Sequence, residues 1–177
     1  LGGYRSDMTG TKAAELAALA ARLGTGCVRF DYSGHGASGG AFTDGTISRW
    51  LEEALAVIGH ARNTLGTRRM VLVGSSMGGW IALRAVEELA KRQAGPAVAG
   101  LLLIAPAPDF TTELVEPNLT EAERRSLAER GLFEEPTPYG PEPNVYTLKL
   151  LEDGRENRVL DGVVETGCPV HILQGMA

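Results

Sequence analysis

The chain has 177 residues, of which 44% are apolar and 22% are charged, and its formal net charge is −5. This composition is typical of a folded domain and excludes a disordered segment. The 17 lysines and arginines are dispersed rather than clustered, so we expect no nucleic-acid partner. The longest apolar stretch, residues 98–107, is too short to span a bilayer, and no secretory leader pattern is visible.

Strand-like apolar runs alternate with helical stripes along most of the chain. The predicted elements are a helix over 16–23, a strand over 27–31, a helix over 47–65, a strand over 70–73, a helix over 82–89, and strands over 100–105 and 169–173. Because the strands are largely apolar and are separated by helices, they predict an α/β fold. Its sheet is expected to be doubly wound and mostly parallel, with helices on both faces.

One region interrupts this alternation. The segment from Pro106 to Cys168 contains seven of the nine prolines, and Thr120 and Glu123 have the spacing of a capping box that opens a charged helix. Loops of this length are uncommon without a function. We therefore interpret residues 107–168 as a cap or lid over the strand ends; the alternative is a loosely ordered surface insertion.

The segment Gly74-Ser75-Ser76-Met77-Gly78 fits the pattern G-x-S-x-G, with a predicted strand before it and a helix after it. At such a turn the backbone lifts the central serine above the sheet, and the glycines leave room for the neighbouring elements. We predict that Ser76 is the catalytic nucleophile and that the N–H of Met77, at the helix N-terminus, is an oxyanion-hole donor. Ser75 is then a strand-end residue. A chance match in a glycine-rich chain is the alternative.

A second oxyanion-hole donor is expected from the loop one strand–helix unit earlier. Residues 1–8, LGGYRSDM, have the pattern of a strand end that turns into the first helix. We predict that the backbone near Gly3 and Tyr4 supplies this donor, with Tyr4 as the residue that carries it. An ordinary tight turn would explain the same glycines.

Five motifs together, GGYRSDMTGTKA, RFDYSGHGASGG, VGSSMGGW, IAPAPDF and CPVHILQG, resemble the α/β-hydrolase superfamily. Within it, the chain resembles a branch of acyl-protein thioesterases and acyl-glucuronide esterases with bacterial relatives. The resemblance covers nearly the whole chain, residues 1–177, as one partial domain. It implies a serine hydrolase that cleaves carboxylic esters or thioesters through an acyl-enzyme on Ser76.

The resemblance also leads to expectations about the cofactors, partners and location of the protein. It implies a small-molecule or acylated substrate and no organic cofactor. The two cysteines, Cys27 and Cys168, have no metal-ligand spacing, so no metal is expected either. The expected location is the cytoplasm, or the mitochondrion if the relative is eukaryotic. No pattern indicates an oligomeric state.

In the superfamily the acid and the histidine follow the nucleophile. His35 and His60 precede Ser76 and are expected to be surface residues, whereas His171 lies inside the last predicted strand. We therefore expect the catalytic histidine, and with it the acid, beyond Ala177 in a chain truncated at both ends.

Two aspartates follow predicted strands. Asp109 follows the strand over 100–105 and is a candidate for the acid, with a helix cap or a hinge of the cap segment as the alternative. Asp31 is expected to hold the turn that follows it through backbone N–H groups.

Two other functions and one specificity site remain open. Gly34, Gly36 and Gly39 form a literal G-x-G-x-x-G after a strand, which would suggest dinucleotide binding. A non-catalytic binding module on the same scaffold is the other alternative. Four apolar side chains of the cap segment are candidates for an acyl pocket, with ordinary packing within the cap as the alternative for each: Phe110, Leu114, Phe133 and Tyr146.

Overall fold

A computed structural model describes residues 1–92, 97–137 and 141–175. The helices are α1 (Thr11–Arg22), α2 (Ile47–Asn63), α3 (Met77–Arg92), α4 (Glu121–Arg130) and α5 (Leu148–Glu156). The strands are β1 (Arg69–Ser75), β2 (Ala97–Ile104), β3 (Leu132–Glu135), β4 (Asn144–Thr147) and β5 (Val170–Leu173). Three short helical segments, Phe42–Asp44, Thr111–Val115 and Glu116–Asn118, complete the structure.

The central sheet has the strand order β1-β2-β5, and both of its strand pairs are parallel. Leu1 adds to it, since its amino group donates to the Val73 carbonyl at 2.8 Å and its carbonyl accepts from the Ser75 N–H at 3.2 Å. These two bonds have the pattern of a parallel pair on the edge of β1 that β2 does not use. The α/β class with a parallel sheet is confirmed.

The core lies between this sheet and the helices α2 and α3, which precede and follow β1. Helix α3 buries nine residues and α2 buries seven, because both carry apolar side chains at helical spacing. Trp50 of α2 and Trp80 of α3 are completely buried. The Trp80 indole N–H also donates to the Asn157 carbonyl at 2.9 Å, which joins the core to the chain after α5.

Two predicted elements differ from the observed structure. Residues 27–31 form no strand, and residues 27–29 are exposed, because this stretch has no ladder partner. Helix α1 begins at Thr11, five residues before the predicted start, and it buries none of its residues; its stripe residue Leu19 is 41% exposed. No helix in the described part of the chain is long and apolar enough to cross a membrane.

The cap segment, residues 107–168, contributes buried side chains to the main core, among them Phe110, Leu127 and Leu151. Its strands β3 and β4 pair antiparallel, and α4 packs against them. The capping box is present, with Thr120 accepting from the Glu123 N–H and the Glu123 carboxylate accepting from the Thr120 N–H. Helix α4 then ends at Gly131, whose φ of 74° is left-handed. The segment is thus structured along its described length, and its role as a lid stays a prediction.

Candidate active site

Ser76 occupies the turn between β1 and α3. Its φ is 54°, a left-handed conformation that is strained for a residue with a side chain. The Ser76 N–H donates to the carbonyl of Ile104, the last residue of β2, at 3.0 Å. The Ser76 carbonyl accepts from Gly79 at 2.8 Å and from Ala107 at 3.1 Å. The turn is therefore fixed on both sides at the carboxyl ends of two parallel strands.

The glycines around Ser76 allow close approach of backbone segments. A Cβ on Gly74 would lie 2.3 Å from the Gly78 carbonyl oxygen, and one on Gly78 would lie 2.2 Å from the Leu1 carbonyl oxygen. A Cβ on Gly79 would lie 2.8 Å from the Cβ of Pro106. Each of these distances is shorter than a van der Waals contact, which explains why the motif has glycine at these positions.

The loop of residues 2–6 lies directly against this turn. A Cβ on Gly3 would lie 3.2 Å from both the Ser76 Cβ and the Ser75 carbonyl oxygen. The loop is closed by Ser6, whose N–H and hydroxyl donate to the Gly3 carbonyl at 3.1 and 2.7 Å. The backbone of Gly3 and Tyr4, where the second oxyanion donor is predicted, thus adjoins Ser76 in space. Met77, the other predicted donor, is the first residue of α3 and is fully buried.

Aromatic rings surround the Tyr4 side chain. The Tyr4 ring stacks on Tyr146 of the cap segment at a centroid distance of 5.5 Å and an interplanar angle of 5°. Phe42, Phe110 and Trp50 contact its other sides at 4.9, 5.6 and 6.1 Å. Burial, and secondarily the neighbouring Tyr146, raises the pKa of Tyr4 well above its usual range. The phenol is therefore neutral and acts as a hydrogen-bond donor.

The hydroxyl of Tyr4 donates to the carbonyl oxygen of Val145 in β4. The next residue, Arg5, has a φ of 55° and reaches the same stretch of the cap segment. Its guanidinium donates to the Pro143 carbonyl at 2.7 Å and pairs with the Glu142 carboxylate at 2.6 Å. Arg5 carries no signal in the sequence, because its partners lie 137 and 138 residues away and no local pattern connects them.

A pocket of about 210 Å³ lies in the cap segment. Three of the four candidates for the acyl pocket, Leu114, Phe133 and Tyr146, line it. The other lining residues are Val115, Asn118, Leu119, Glu123 and Glu135. Phe110 does not line it; its ring packs edge-on against Trp80 at 5.6 Å. Tyr146 connects the pocket with the loop of residues 2–6, because it lines the pocket and its ring stacks on Tyr4.

None of the three histidines hydrogen bonds to Ser76. His60 is exposed on α2, and His171 is exposed on β5. His35 is only 3% exposed, so the prediction that it is a surface residue is wrong. Its Nδ1 lies 3.2 Å from the Ser33 carbonyl oxygen, and aromatic rings enclose the imidazole. Burial lowers the pKa of His35, and this effect outweighs the raising effect of its bond to Ser33.

Asp109 is completely buried and joins the two ends of the cap segment. Both of its carboxylate oxygens lie 3.0 Å from the Val159 nitrogen, and Oδ2 accepts from the Leu160 N–H at 2.8 Å. Burial raises the pKa of this carboxyl, although the N–H groups of Leu160 and Val159 lower it in part. These bonds favour the hinge role over the role of a catalytic acid.

Asp31 fills the glycine loop that suggested dinucleotide binding. Its carboxylate accepts from the N–H of Met8 at 2.6 Å and from the N–H of Ala37 at 2.9 Å, which confirms the predicted turn-holding role. A Cβ on Gly36 would lie 2.2 Å from Asp31 Oδ2. Because a carboxylate already occupies the position a phosphate would need, Gly34, Gly36 and Gly39 do not form a pyrophosphate cradle. Within residues 1–92, 97–137 and 141–175, no cluster of His, Cys, Asp or Glu is arranged to hold a metal ion.

Comparison with known proteins gives consistent matches. Residues 2–170 match the model of the alpha/beta hydrolase family. The chain is 33% identical, over 98% of its length, to the mitochondrial palmitoyl-protein thioesterase ABHD10 of Pongo abelii, and it covers 54% of that relative. It therefore spans about half the length of the curated relatives it matches.

Two solved structures are similar along the chain. A protein of Agrobacterium vitis S4 that is named as a hydrolase has a TM-score of 0.95 and 66% identity, over 100% of this chain and 67% of its own. Alpha/beta hydrolase domain-containing protein 10 from mouse has a TM-score of 0.76 and 27% identity, over 97% of this chain and 65% of its own. The arrangement of sheet and helices described above is thus found in proteins of known structure.

Proposed function

The chain belongs to the alpha/beta hydrolase family, and we propose that it is the serine-bearing part of a hydrolase that cleaves carboxylic esters or thioesters. The observation that carries the proposal is the left-handed Ser76 at the turn from β1 into α3. A strained backbone at one residue persists only where the surroundings enforce it, and such positions concentrate at reactive sites. The flanking glycines and the bonds to β2 enforce it here.

The proposed reaction is acyl transfer through a covalent intermediate. The Ser76 hydroxyl attacks the substrate carbonyl carbon while its proton passes to a base, and the carbonyl oxygen becomes an oxyanion. The alcohol or thiol then leaves with a proton, and the acyl group remains on Ser76. Water attacks the acyl-enzyme in the same way, which releases the carboxylic acid and restores the serine.

Two backbone N–H groups are proposed to hold the oxyanion. The N–H of Met77 begins a helix, where the unpaired donors and the positive end of the dipole favour negative charge. The N–H of Tyr4 belongs to the loop that packs against Ser76 through Gly3. Donors that are already in place stabilise the charge that develops in the transition state without reorganising.

The base is proposed to be a histidine other than His35, His60 and His171. The imidazole of His35 is buried among aromatic rings, and the other two are exposed away from the serine turn. For the same reason we propose that Asp109 closes the cap segment and is not the catalytic acid. The cap pocket lined by Leu114, Phe133 and Tyr146 is proposed to accept the acyl group.

A non-catalytic module on the same scaffold is the second candidate, because a fold by itself does not establish catalysis. Covalent labelling with a fluorophosphonate probe distinguishes the two. We expect the intact protein to be labelled, Ser76→Ala to lose the label, and the matched Ser75→Ala to keep it. Labelling that persists in Ser76→Ala, or an unlabelled wild-type protein, would exclude the proposed nucleophile.

A further inference from the structure

We propose that Tyr4 and Arg5 are positioning residues. Their side chains clamp the oxyanion loop, residues 2–6, onto residues 142–146 of the cap segment, and this contact holds the Tyr4 N–H in place. This inference rests on the proposed function, because it concerns the geometry of that oxyanion hole. Its contacts, however, are properties of the fold and can be tested separately.

The first half of the clamp is the Tyr4 side chain. Its hydroxyl donates to the Val145 carbonyl, and its ring stacks in parallel on Tyr146, the next residue of the same strand. Val145 is 141 residues away in the chain, so the bond joins two separate segments. A stacked ring and a hydrogen bond together fix both the plane and the tip of the phenol.

The second half is Arg5, whose left-handed backbone brings a consecutive side chain to the same segment. Its guanidinium bonds to the Pro143 carbonyl and to the Glu142 carboxylate, and it lies 5.3 Å above the ring of Phe42. The Arg5 side chain is 27% exposed, whereas that of Glu142 is 77% exposed. The ion pair alone contributes little in solvent, so the bond to the Pro143 carbonyl carries most of this half, while the ring of Phe42, which lies outside the cap segment, holds the guanidinium in place.

The clamp reaches Ser76 through Gly3. A Cβ on Gly3 would lie only 3.2 Å from the Ser76 Cβ, and the two bonds from Ser6 to the Gly3 carbonyl close the loop around Tyr4. A shift of Tyr4 and Arg5 relative to the cap segment should therefore also move Gly3 relative to Ser76. Since a misplacement of about 1 Å at a reacting group can cost about a hundredfold in rate, a released clamp should affect kcat more than substrate binding.

The test compares two variants with matched controls in the intact protein. The substrate is p-nitrophenyl butyrate. The inhibitor is a butyl trifluoromethyl ketone, whose adduct with the serine places an oxyanion in the hole. Tyr4→Phe keeps the ring and removes one hydroxyl; Arg5→Met keeps the length and removes the guanidinium. We expect kcat to fall about tenfold in Tyr4→Phe and about threefold or more in Arg5→Met, with KM within about twofold. The affinity for the ketone should fall by the same factor as kcat.

Tyr32→Phe and Arg92→Met are the controls. The Tyr32 hydroxyl is buried and has no hydrogen-bond partner among the described residues, and Arg92 pairs with Glu52 at 2.6 Å on a helix surface. Both should keep kcat and ketone affinity within about twofold of wild type. Hydrogen exchange supplies a readout that needs no activity: the amides of residues 142–147 should exchange faster in Tyr4→Phe than in Tyr32→Phe.

An active enzyme whose kcat is unchanged in Tyr4→Phe, or in which only KM rises, overturns the positioning role and leaves the proposed function standing. A wild-type protein that neither hydrolyses the ester nor takes the label overturns the proposed function. In that case unchanged exchange in Tyr4→Phe would overturn the clamp as a contact as well.

Discussion

Both carboxylate oxygens of Asp109 lie 3.0 Å from the backbone nitrogen of Val159, fifty residues further along the chain. Asp109 follows β2, and Val159 follows α5, so this one side chain closes the cap segment at its base. The N–H of Leu160 adds a third bond. A buried carboxylate with these bonds is costly to remove, because the buried N–H of Val159 then loses its acceptor where water does not replace it.

We expect Asp109→Ala to lower the free energy of unfolding by about 3 kcal/mol, since it leaves the buried N–H of Val159 unpaired and removes the acceptor of the Leu160 N–H. Urea denaturation followed by tryptophan fluorescence measures this loss. Asp161→Ala is the matched control: its side chain is 68% exposed in an ion pair with Arg158, so the expected change is below about 0.5 kcal/mol. Equal losses in both variants would argue against the closing role of Asp109.

We expect the substitution of glycine by alanine to have opposite effects on stability at two positions. Gly78→Ala would place a Cβ 2.2 Å from the Leu1 carbonyl oxygen, so we expect the backbone at the serine turn to shift and stability to fall by about 2 kcal/mol or more. Gly59 of α2 has no atom within 4 Å of its Cβ position. Gly59→Ala should therefore stabilise by about 0.5–1 kcal/mol, because alanine favours a helix interior. Thermal unfolding of the two variants checks both signs.

The serine turn was predictable from the sequence because its parts are contiguous. An apolar strand, a serine between glycines and an amphipathic helix follow one another within residues 69–92, and short-range rules cover each part. The capping box at Thr120 and the turn held by Asp31 were predictable for the same reason. In each case the pattern that predicts the feature lies within a few positions, although Asp31 also bonds to Met8 and the serine turn to Ile104.

The features that could not be predicted depend on distant partners. Residues 27–31 have a strand-like composition, but a strand also needs a neighbour to pair with. His35 lies in a polar, glycine-rich stretch, yet Tyr32, Phe42 and Trp50 enclose its ring. The contacts of Arg5 with the cap segment join positions more than a hundred residues apart. A single sequence taken by itself carries no signal for such pairs.

The cap pocket predicts a change in acyl selectivity. Leu114 lines it and is 59% exposed, so Leu114→Trp would fill much of its volume of about 210 Å³ with little cost to the core. We expect kcat/KM for a dodecanoyl thioester to fall about tenfold or more, while kcat/KM for a butanoyl thioester stays within about twofold. Leu65→Trp, at a residue that is also 59% exposed but lies outside the pocket, should change neither value. Parallel losses on both substrates in Leu114→Trp would place the acyl group elsewhere.

Burial of His35 predicts a pH dependence of stability. Because burial lowers the pKa of the folded imidazole below its ordinary value of 6.5, the unfolded chain binds the proton more tightly than the folded one. The His35 contribution is therefore fully present above pH 6.5 and is lost as pH falls through the folded pKa. We expect His35→Gln, whatever its stability at neutral pH, to lose less free energy of unfolding between pH 7.5 and pH 5 than the wild-type protein loses. His60→Gln removes an imidazole from the exposed face of α2 and should lose as much free energy of unfolding between pH 7.5 and pH 5 as the wild-type protein. An identical loss in all three proteins would mean that His35 is not buried in its neutral form.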